Sequence, residues 1–271
     1  MMKEIPFKAV AVDIDGTFMT DQRTYDYEWF DRILTKLKER HIHFIVSSGR
    51  PLSRLKCDFE NFLDRIDLIA DNGAILVQDN QIIASHYLTA TTGMKLLNFI
   101  QENYPDVDIC VSGKEFAYYL QSSSSYFKKA MHYFYPNSIA LNNFEQMPAG
   151  ERIIKLSLGC SSSLASSIEN NFNKGFNERI HCTSSGYNSI DVVPYGVNKA
   201  QGLKYFLRYF DLTPSQLIAF GDGMNDKEML ELAGYSYAMA NANQKLFKIA
   251  KYKSPSNNDS GVLKVLDDYL K

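Results

Sequence analysis

Two clusters of carboxylates are the residues of this chain best suited to chemistry. Asp13 and Asp15 follow the apolar run FKAVAV, and Asp222 and Asp226 follow the apolar run LIAF. Each run is typical of a buried parallel strand, and open α/β sheets keep their ligand crevice at the carboxyl ends of such strands. Clustered carboxylates repel one another unless a proton or a cation lies between them. Because the candidate ligands are all oxygens, the pattern indicates a hard ion such as Mg²⁺ rather than zinc.

The first cluster has the spacing of a nucleophile and a proton carrier. Asp13 and Asp15 are two residues apart, so in extended backbone both side chains project to the same side. Gly16 permits a tight turn after them, and the Thr17 hydroxyl can hold that turn. An aspartate needs no base at neutral pH, but charge opposes its approach to a phosphoryl group, so a metal and a lysine must offset the repulsion. A calcium loop is the competing interpretation, and the few oxygens that follow Gly16 argue against it.

Three further residues are weaker candidates for binding an anion. Ser48, in the sequence SSG, offers a hydroxyl beside free backbone N–H groups. Lys199 opens a predicted helix, where the helix dipole disfavours a cation, so its charge there favours an anionic ligand nearby. Asn225 can cap a helix or bind phosphate through its side chain. Taken alone, Ser48 fits an ordinary turn and Lys199 fits a surface lysine.

Bulk composition excludes several classes of protein. The 271 residues carry 29 basic and 31 acidic side chains, a net charge of −2, without a block of like charge. A nucleic-acid-binding surface needs a basic patch, and a membrane span needs roughly 20 apolar residues. The four cysteines are widely spaced, so we expect reduced thiols rather than structural zinc. Because the first residues also lack the apolar run of a signal peptide, we expect a soluble cytoplasmic protein that binds neither nucleic acid nor membrane.

Alternating strands and helices must position these side chains, and the alternation predicts an α/β fold with a doubly wound parallel sheet. A helix is predicted where apolar residues recur at i, i+3, i+4 and i+7. Strands are predicted at residues 7–12, 42–46, 67–70, 75–77, 82–83, 191–194, 217–220 and 235–239. Helices are predicted over residues 27–40, 54–62, 199–210, 226–232, 244–250 and 261–270.

A stretch of different character interrupts this alternation. It is rich in Ser, Asn and Tyr and is long enough for a separate α+β domain. We therefore predict a discontinuous core formed by residues 1–83 and 192–271, with a second domain inserted at residues 84–191. Strands at residues 109–111 and 154–158 and helices over residues 92–102 and 163–172 are predicted within it. Its many aromatic side chains are expected to pack in a core or an interface, with stacking on a sugar or base ring as the alternative.

Four motifs resemble, in this order, those of the haloacid dehalogenase (HAD) superfamily. They are DIDGT at residues 13–17, SGR at residues 48–50, Lys199, and GDGMND at residues 221–226. The insertion between the second and third motifs resembles, in position and size, the type IIB cap of the Cof-type sugar-phosphatase branch. Further segments look like recurring Cof-type segments: NGA at 72–74, DVVP at 191–194, MANA at 239–242 and NDSGV at 258–262. The resemblance implies a Rossmann-like HAD core with an inserted, mobile α+β cap.

The resemblance also implies a Mg²⁺-dependent phosphomonoester hydrolase that works through an aspartyl-phosphate. Asp13 would be the nucleophile, and Asp15 would be the general acid and then the general base. Mg²⁺ would be held by Asp13, by the backbone carbonyl of Asp15 and by Asp222. Asp226 would be an outer or water-mediated partner of the ion.

The groups that bind the phosphoryl oxygens are implied by the same motifs. They are the side chains and N–H groups of Ile14, Ser48, Gly49, Lys199 and Asn225, with Ile14 and Gly49 acting through their backbone N–H. Ser48 stands where threonine is commoner in this branch, which keeps the hydroxyl. Gly223 stands where serine is common, which should not disturb the metal.

The expected substrate is a small phosphorylated metabolite such as a sugar phosphate, and nucleotides and phosphorylated cofactors also remain open. A phosphomutase is one alternative, and it would return the phosphoryl group to a sugar. A non-catalytic phosphate-binding regulator is the other, and it would not need both Asp15 as an acid and a large cap. Monomeric and dimeric states both remain open.

Overall fold

The structure is a computed structural model that describes residues 5–175, 180–186 and 189–271. The described residues form two compact units. The first comprises Met1–Ser48, Glu60–Ile83 and Asn198–Lys271, and the second comprises Gly49–Phe59 and Ala84–Val197. Residues 49–59 and 192–197 thus group with the second unit, and the predicted domain boundaries at residues 83–84 and 191–192 stay a prediction.

The regular elements are numbered here along the chain. The strands are β1 (Ala9–Val12), β2 (His43–Ser47), β3 (Asp67–Ala70), β4 (Ile75–Gln78), β5 (Gln81–Ser85), β6 (Asp108–Ser112), β7 (Ala117–Leu120), β8 (Ser138–Leu141), β9 (Lys155–Gly159), β10 (Ile180–Gly186), β11 (Ser189–Pro194), β12 (Leu217–Gly221), β13 (Tyr235–Met239) and β14 (Tyr252–Ser254). The α-helices are α1 (Tyr27–Glu39), α2 (Leu52–Asp58), α3 (Ala90–Asn103), α4 (Ser125–Phe134), α5 (Ser162–Gly175), α6 (Lys199–Tyr209), α7 (Lys227–Leu232) and α8 (Gly261–Leu270).

The first unit is built on an eight-stranded sheet with the order β14-β13-β12-β1-β2-β3-β4-β5. The strands from β14 to β3 run parallel, and β4 pairs antiparallel with β3. Along the chain the sheet grows outward from β1 in one direction and, from β12, in the other. This confirms the predicted doubly wound sheet. The order reverses between β1 and β12, where sheets of this kind bind their ligands.

Burial explains why these segments fold as they do. All four residues of β1 are buried, as expected for a central parallel strand with both faces covered by helices. In α1 the apolar residues at helical spacing, Phe30, Ile33, Leu34 and Leu37, are buried. Each such side chain contributes roughly 1.5–3 kcal/mol when it is removed from water. Asp26 caps the start of α1 by accepting the N–H of Trp29 at 2.8 Å.

Three elements differ from the prediction, one in the second unit and two in the first. The helix predicted over residues 54–62 is α2, which begins directly after Pro51 and ends at Asp58. The helix predicted over residues 244–250 is a 3₁₀ segment, Gln244–Lys248. The edge strand β14 was not predicted because its two exposed residues give it no apolar run, and it forms by parallel pairing with β13.

The second unit contains a six-stranded sheet with the order β10-β11-β9-β6-β7-β8. One face packs against α3 and α5 through a large apolar cluster that includes Leu97, Leu156 and Phe172. The other face packs against α4 through a smaller cluster, Cys110, Ala117, Tyr119, Phe127, Met131 and Tyr135. The buried Tyr118, Tyr119, Phe127 and Tyr135 confirm that these aromatic residues pack in a core. The elements β7, α4, β8 and β10 were not predicted.

Two expectations from composition can be compared with the structure. The four cysteines carry free thiols. Within the described part of the chain, no helix combines the length and the apolar character that crossing a membrane would require.

A buried acid at the start of β3 makes the stability of the first unit sensitive to pH. Burial, with the charge of Asp79 as a second cause, raises the pKa of Asp67 to about 7. Asp67 Oδ2 lies 4.0 Å from His43 Nδ1, and burial lowers the pKa of that histidine. The pKa of Asp67 in the folded state is therefore well above the ordinary value of 3.8 that it has in the unfolded chain. Stability that is present at low pH is therefore lost as the pH rises toward 7, because the folded state must give up a proton that it holds tightly.

Replacing Asp67 with Asn should remove this loss, because the amide keeps the shape of the side chain and carries no charge. The quantity to compare is the free energy of unfolding of Asp67→Asn minus that of wild type. This difference should be roughly 2–3 kcal/mol larger at pH 8 than at pH 5. Urea titrations at both pH values measure this difference. Asp79→Asn, at an exposed turn position, is the control and should show a much smaller increase. A difference that does not change with pH would contradict the assignment.

Candidate active site

The two acidic motifs emerge side by side from neighbouring strands. Val12 of β1 is paired with Phe220 of β12, and the N–H of Asp13 donates to the carbonyl of Phe220 at 3.1 Å. One carboxylate oxygen from each of Asp13, Asp222 and Asp226 lies within 4.8 Å of the other two. The structure therefore brings together three of the four carboxylates that the sequence placed at two separate strand ends, Asp13, Asp222 and Asp226.

Lys199 lies among these carboxylates. Its Nζ is 2.6 Å from Oδ1 of Asp13 and 2.6 Å from Oδ1 of Asp226, and its side chain is 1% exposed. It is the first residue of α6, whose N-terminus Asn198 caps by accepting the N–H of Gln201. Burial lowers the pKa of Lys199, but the charges of Asp13 and Asp226 more than offset burial, so the pKa is raised and the ammonium stays charged. The surface-lysine interpretation is wrong.

The cluster contains more negative than positive charge, because three carboxylates surround one ammonium. Burial raises the pKa of Asp13 well above its ordinary value; Lys199 opposes the shift, and Asp226 and Asp222 reinforce it. Burial and then the charge of Asp226 raise the pKa of Asp222 to about 7. A cation between these oxygens would remove the repulsion. With three carboxylates and one ammonium, the cluster needs two more positive charges to be neutral, and its oxygen ligands fit a hard divalent ion such as Mg²⁺.

A tight turn carries the chain past Asp15. The N–H groups of Phe18 and Met19 donate to the carbonyl of Ile14 at 3.1 and 3.0 Å. Gly16 has a φ of 76°, and a Cβ atom at this position would collide with the carboxylate of Asp222. Glycine is therefore required both for the conformation and for the close approach.

Thr17 connects the two acidic motifs. Its hydroxyl donates to Oδ1 of Asp222 at 2.9 Å, although the sequence predicted only that Thr17 would hold its own turn. This hydrogen bond lowers the pKa of Asp222 against the larger effect of burial. Thr17 thus orients a carboxylate that lies 205 residues away in the sequence, a contact for which the sequence contains no local signal.

Asp226 holds both the lysine and its own loop. Its Oδ1 accepts from Lys199, and its Oδ2 accepts the N–H groups of Asp222 and Gly223, each at 3.0 Å. Gly221 allows this approach, because a Cβ atom there would lie 2.6 Å from Cβ of Asp226. Both oxygens of Asp226 therefore have hydrogen-bond donors, and its position outside the direct ligands of a metal stays a prediction.

Asn225 reaches the turn that follows β3. Its Nδ2 donates to Oδ1 of Asn72 at 3.3 Å. Asn72 has a φ of 56°, and a Cβ atom on the following Gly73 would collide with the carbonyl of Asn198. The Asn-Gly turn is thus packed between the loop before Lys199 and the loop that carries Asn225.

The remaining predicted residues, Ser48 and Gly49, belong to different compact units. Ser48 is buried in the first unit, where its N–H donates to the carbonyl of Ile69 at 2.8 Å and its carbonyl accepts the N–H of Asn72 at 3.0 Å. Gly49 belongs to the second unit, where its carbonyl accepts from Nζ of Lys155 at 2.5 Å. Their predicted roles in binding phosphate, and that of the Ile14 N–H, stay predictions.

Comparison with known proteins gives the family. The family model of the haloacid dehalogenase-like hydrolases matches residues 10–266. The chain is 32% identical over 264 residues to 5-amino-6-(5-phospho-D-ribitylamino)uracil phosphatase YbjI of Escherichia coli (strain K12), covering 97% of this chain and 96% of that protein. It is 35% identical to SMU.1108c from Streptococcus mutans UA159, whose crystal structure matches with a TM-score of 0.93 over 97% of this chain and 99% of that chain. The HAD subclass IIB sugar phosphatase BT4131 is 19% identical and matches with a TM-score of 0.82 over 97% and 98% of the two chains, which shows the shared fold.

The family match includes all four motifs on which the resemblance was based, since it begins before Asp13 and ends after Asp226. The structural matches cover nearly the whole chain and so include the insertion. The predicted fold, an α/β core with an inserted α+β cap domain, is confirmed. This chain therefore belongs to the haloacid dehalogenase-like hydrolases, in their Cof-type branch, and is a phosphatase of that family.

Proposed function

We propose that this protein is a Mg²⁺-dependent phosphomonoester hydrolase that acts on small phosphorylated metabolites through an aspartyl-phosphate on Asp13. The observation that carries the proposal is the buried ammonium of Lys199 between Asp13 and Asp226. A site for a metal alone gains nothing from a lysine in contact with Asp13, one of the proposed metal ligands. A site for phosphoryl transfer needs both charges, because an anionic nucleophile must approach an anionic substrate.

In the proposed first step, a carboxylate oxygen of Asp13 attacks the phosphorus atom and the bond to the leaving-group oxygen breaks. Asp15 donates a proton to that oxygen, so the product leaves as an alcohol. In the second step, Asp15 takes a proton from the water that attacks the aspartyl-phosphate. Inorganic phosphate is released, and both aspartates return to their starting states with one water consumed.

Other residues of the chain would bind and orient the phosphoryl group. An ammonium has three N–H groups; Asp13 and Asp226 accept two from Lys199, and we assign the third to a phosphoryl oxygen. Ser48 and Asn225, with the N–H groups of Ile14 and Gly49, complete the proposed set. Mg²⁺, when held by Asp13, Asp222 and the backbone carbonyl of Asp15, would supply positive charge that offsets the repulsion between carboxylate and substrate.

The names of the relatives support a class of substrate. YbjI is named as a phosphatase of a phosphoribityl compound, and BT4131 is named as a sugar phosphatase. Both substrates carry a phosphate ester on a small polyhydroxylated skeleton. We propose the same class for this protein, with 5-amino-6-(5-phospho-D-ribitylamino)uracil as the first compound to assay.

Chelation should test the metal requirement. Phosphate release from a panel of sugar phosphates, nucleoside monophosphates, the phosphoribityl compound and p-nitrophenyl phosphate is measured with Mg²⁺ and with EDTA. We expect EDTA to lower turnover by at least about 10²-fold, because the carboxylates then repel each other and the substrate. Excess Mg²⁺ should restore activity. Full activity after exhaustive chelation would refute the metal assignment, and transfer to a sugar hydroxyl without phosphate release would indicate a phosphomutase.

A further inference from the structure

Two asparagine side chains from later loops hold the turn that carries Asp15. Asn241 lies in the loop after β13, and its Nδ2 donates to the carbonyl of Gly16 at 2.7 Å. Its Oδ1 accepts the backbone N–H of Asn257 at 3.2 Å. Asn241 therefore bridges the loop after β14 and the turn beside the nucleophile. We term the side chains of Asn241 and Asn257 the amide clamp.

Asn257 holds the far end of the same turn. Its Nδ2 donates to the carbonyl of Met19 and to Oδ1 of Asp21, each at 3.0 Å. Asn257 is only 1% exposed, so water does not replace these bonds when they are lost. Without this donor the Met19 carbonyl would be a buried acceptor with an unsatisfied hydrogen bond, which destabilises the turn.

The asparagine contacts add to the hydrogen bonds that the turn makes with the Ile14 carbonyl. Gly16, with its φ of 76°, follows Asp15 directly, and glycine allows many other backbone conformations. Asp15 and Met19 also form an isolated bridge between their backbones, so the clamp fixes Gly16 next to Asp15 and Met19 across from it. The residue that follows Asp15 and the residue paired with it across the turn thus each have a carbonyl held by an asparagine amide.

We propose that the amide clamp is a positioning device that orients Asp15 for proton transfer to the leaving-group oxygen. The inference rests on the proposed function, because it requires Asp15 to be the general acid. Asn241 and Asn257 bind the backbone around Asp15 and act through it. Small displacements of a reacting group of about 1 Å can lower a rate by 10²-fold, so loosening the turn affects proton transfer most.

The leaving group of the substrate distinguishes positioning of the acid from general damage. p-Nitrophenyl phosphate has a leaving group that needs little protonation, whereas an alkyl phosphate depends on the acid. We expect Asn241→Ala to lower kcat/KM, which reports formation of the aspartyl-phosphate, by about 10- to 100-fold for the best alkyl phosphate of the panel. For p-nitrophenyl phosphate kcat/KM should fall by less than about 3-fold, because its leaving group needs little protonation and the phosphate-binding groups are untouched.

Matched variants keep the test decisive. Asn241 is exposed, so its replacement by Ala is expected to fold, whereas Asn257→Ala buries an unpaired carbonyl and serves as a second variant if thermal unfolding shows it folded. Asn258→Ala is the control, because Asn258 is exposed and hydrogen-bonds Asp21 but neither Gly16 nor Met19. Asp15→Asn gives the leaving-group dependence that results when the acid itself is lost.

A loss of kcat/KM with Asn241→Ala that is larger for the alkyl phosphate than for p-nitrophenyl phosphate, as with Asp15→Asn, supports the clamp. An equal loss on both esters, or none, overturns it. The proposed function fails separately, if wild-type protein releases no phosphate or if Asp13→Asn retains activity. If wild-type protein releases phosphate, Asp13→Asn is inactive and Asn241→Ala loses activity equally on both esters, only the clamp is refuted.

Discussion

Asp13→Asn is expected to abolish phosphate release, with turnover reduced by at least about 10⁴-fold, because the substitution removes the attacking oxygen. The amide keeps the size of the side chain in a position that is 6% exposed. Asp13 also lies close to Asp222 and Asp226, so removing its charge relieves repulsion. We therefore expect the thermal midpoint of the metal-free variant to be no lower than that of wild type. Phosphate release and thermal unfolding together measure both effects.

Asp15→Asn is the matched comparison for this prediction. It keeps the nucleophile and the backbone carbonyl and loses proton transfer, a contribution of roughly 10²–10⁴-fold. The loss in kcat/KM, which reports formation of the aspartyl-phosphate, should be smaller for p-nitrophenyl phosphate than for an alkyl phosphate. Turnover by Asp13→Asn that falls by less than about 10³-fold, or a larger loss with Asp15→Asn than with Asp13→Asn on both esters, would contradict the assigned roles.

Lys199→Met is expected to lower both activity and stability. The ammonium is the positive charge that Asp13 and Asp226 share, and its loss leaves two buried carboxylates without a cation. Breaking a buried ion pair in this way typically costs 3–5 kcal/mol, so we expect a decrease of about that size in the free energy of unfolding. Turnover should fall on the order of 10²–10³-fold, because a charge aimed at the phosphoryl oxygens is lost. Urea unfolding and kcat, measured where circular dichroism shows a folded variant, report the two effects.

Lys204→Met separates these effects from a general loss of positive charge. Lys204 lies in the same helix, α6, and is exposed. Its replacement should leave kcat unchanged and should change the free energy of unfolding by no more than about 0.5 kcal/mol. Wild-type turnover in folded Lys199→Met would show that the buried ammonium has no part in the chemistry.

Much of the core could be predicted because its signals are local. Short apolar runs predict buried strands, and the rule that parallel strands present their carboxyl ends at one edge predicts that the two acidic motifs meet.

The position of Lys199 was a weaker prediction. Its charge at a helix start suggested an anionic ligand, but only the order of the four motifs distinguished it from a surface lysine. Its burial between two carboxylates then follows from α6 starting beside the loops after β1 and β12.

The contacts that the sequence did not reveal are long-range and polar. Asn241 bonds Gly16 across 225 residues, and Asn257 bonds Met19 across 238 residues. Single asparagines in loops usually mark turns, and nothing in their neighbours indicates a distant backbone carbonyl. The insertion was difficult for a different reason. The sequence of α4, SYFKKAMHYF, mixes aromatic residues that favour strands with residues that favour helices. Its buried residues Phe127 and Met131 define a helical face only once the sheet that they cover is known.

Trapping the covalent intermediate tests the central claim most directly. Wild-type protein and Asp15→Asn are mixed with substrate and Mg²⁺, quenched rapidly in acid, digested and analysed by mass spectrometry. We expect one phosphoryl group on Asp13, at higher occupancy in Asp15→Asn, because that variant lacks the base that activates the hydrolytic water. Phosphate on Asp15, or on no residue of the active wild-type protein under conditions that trap acyl phosphates, would contradict the account.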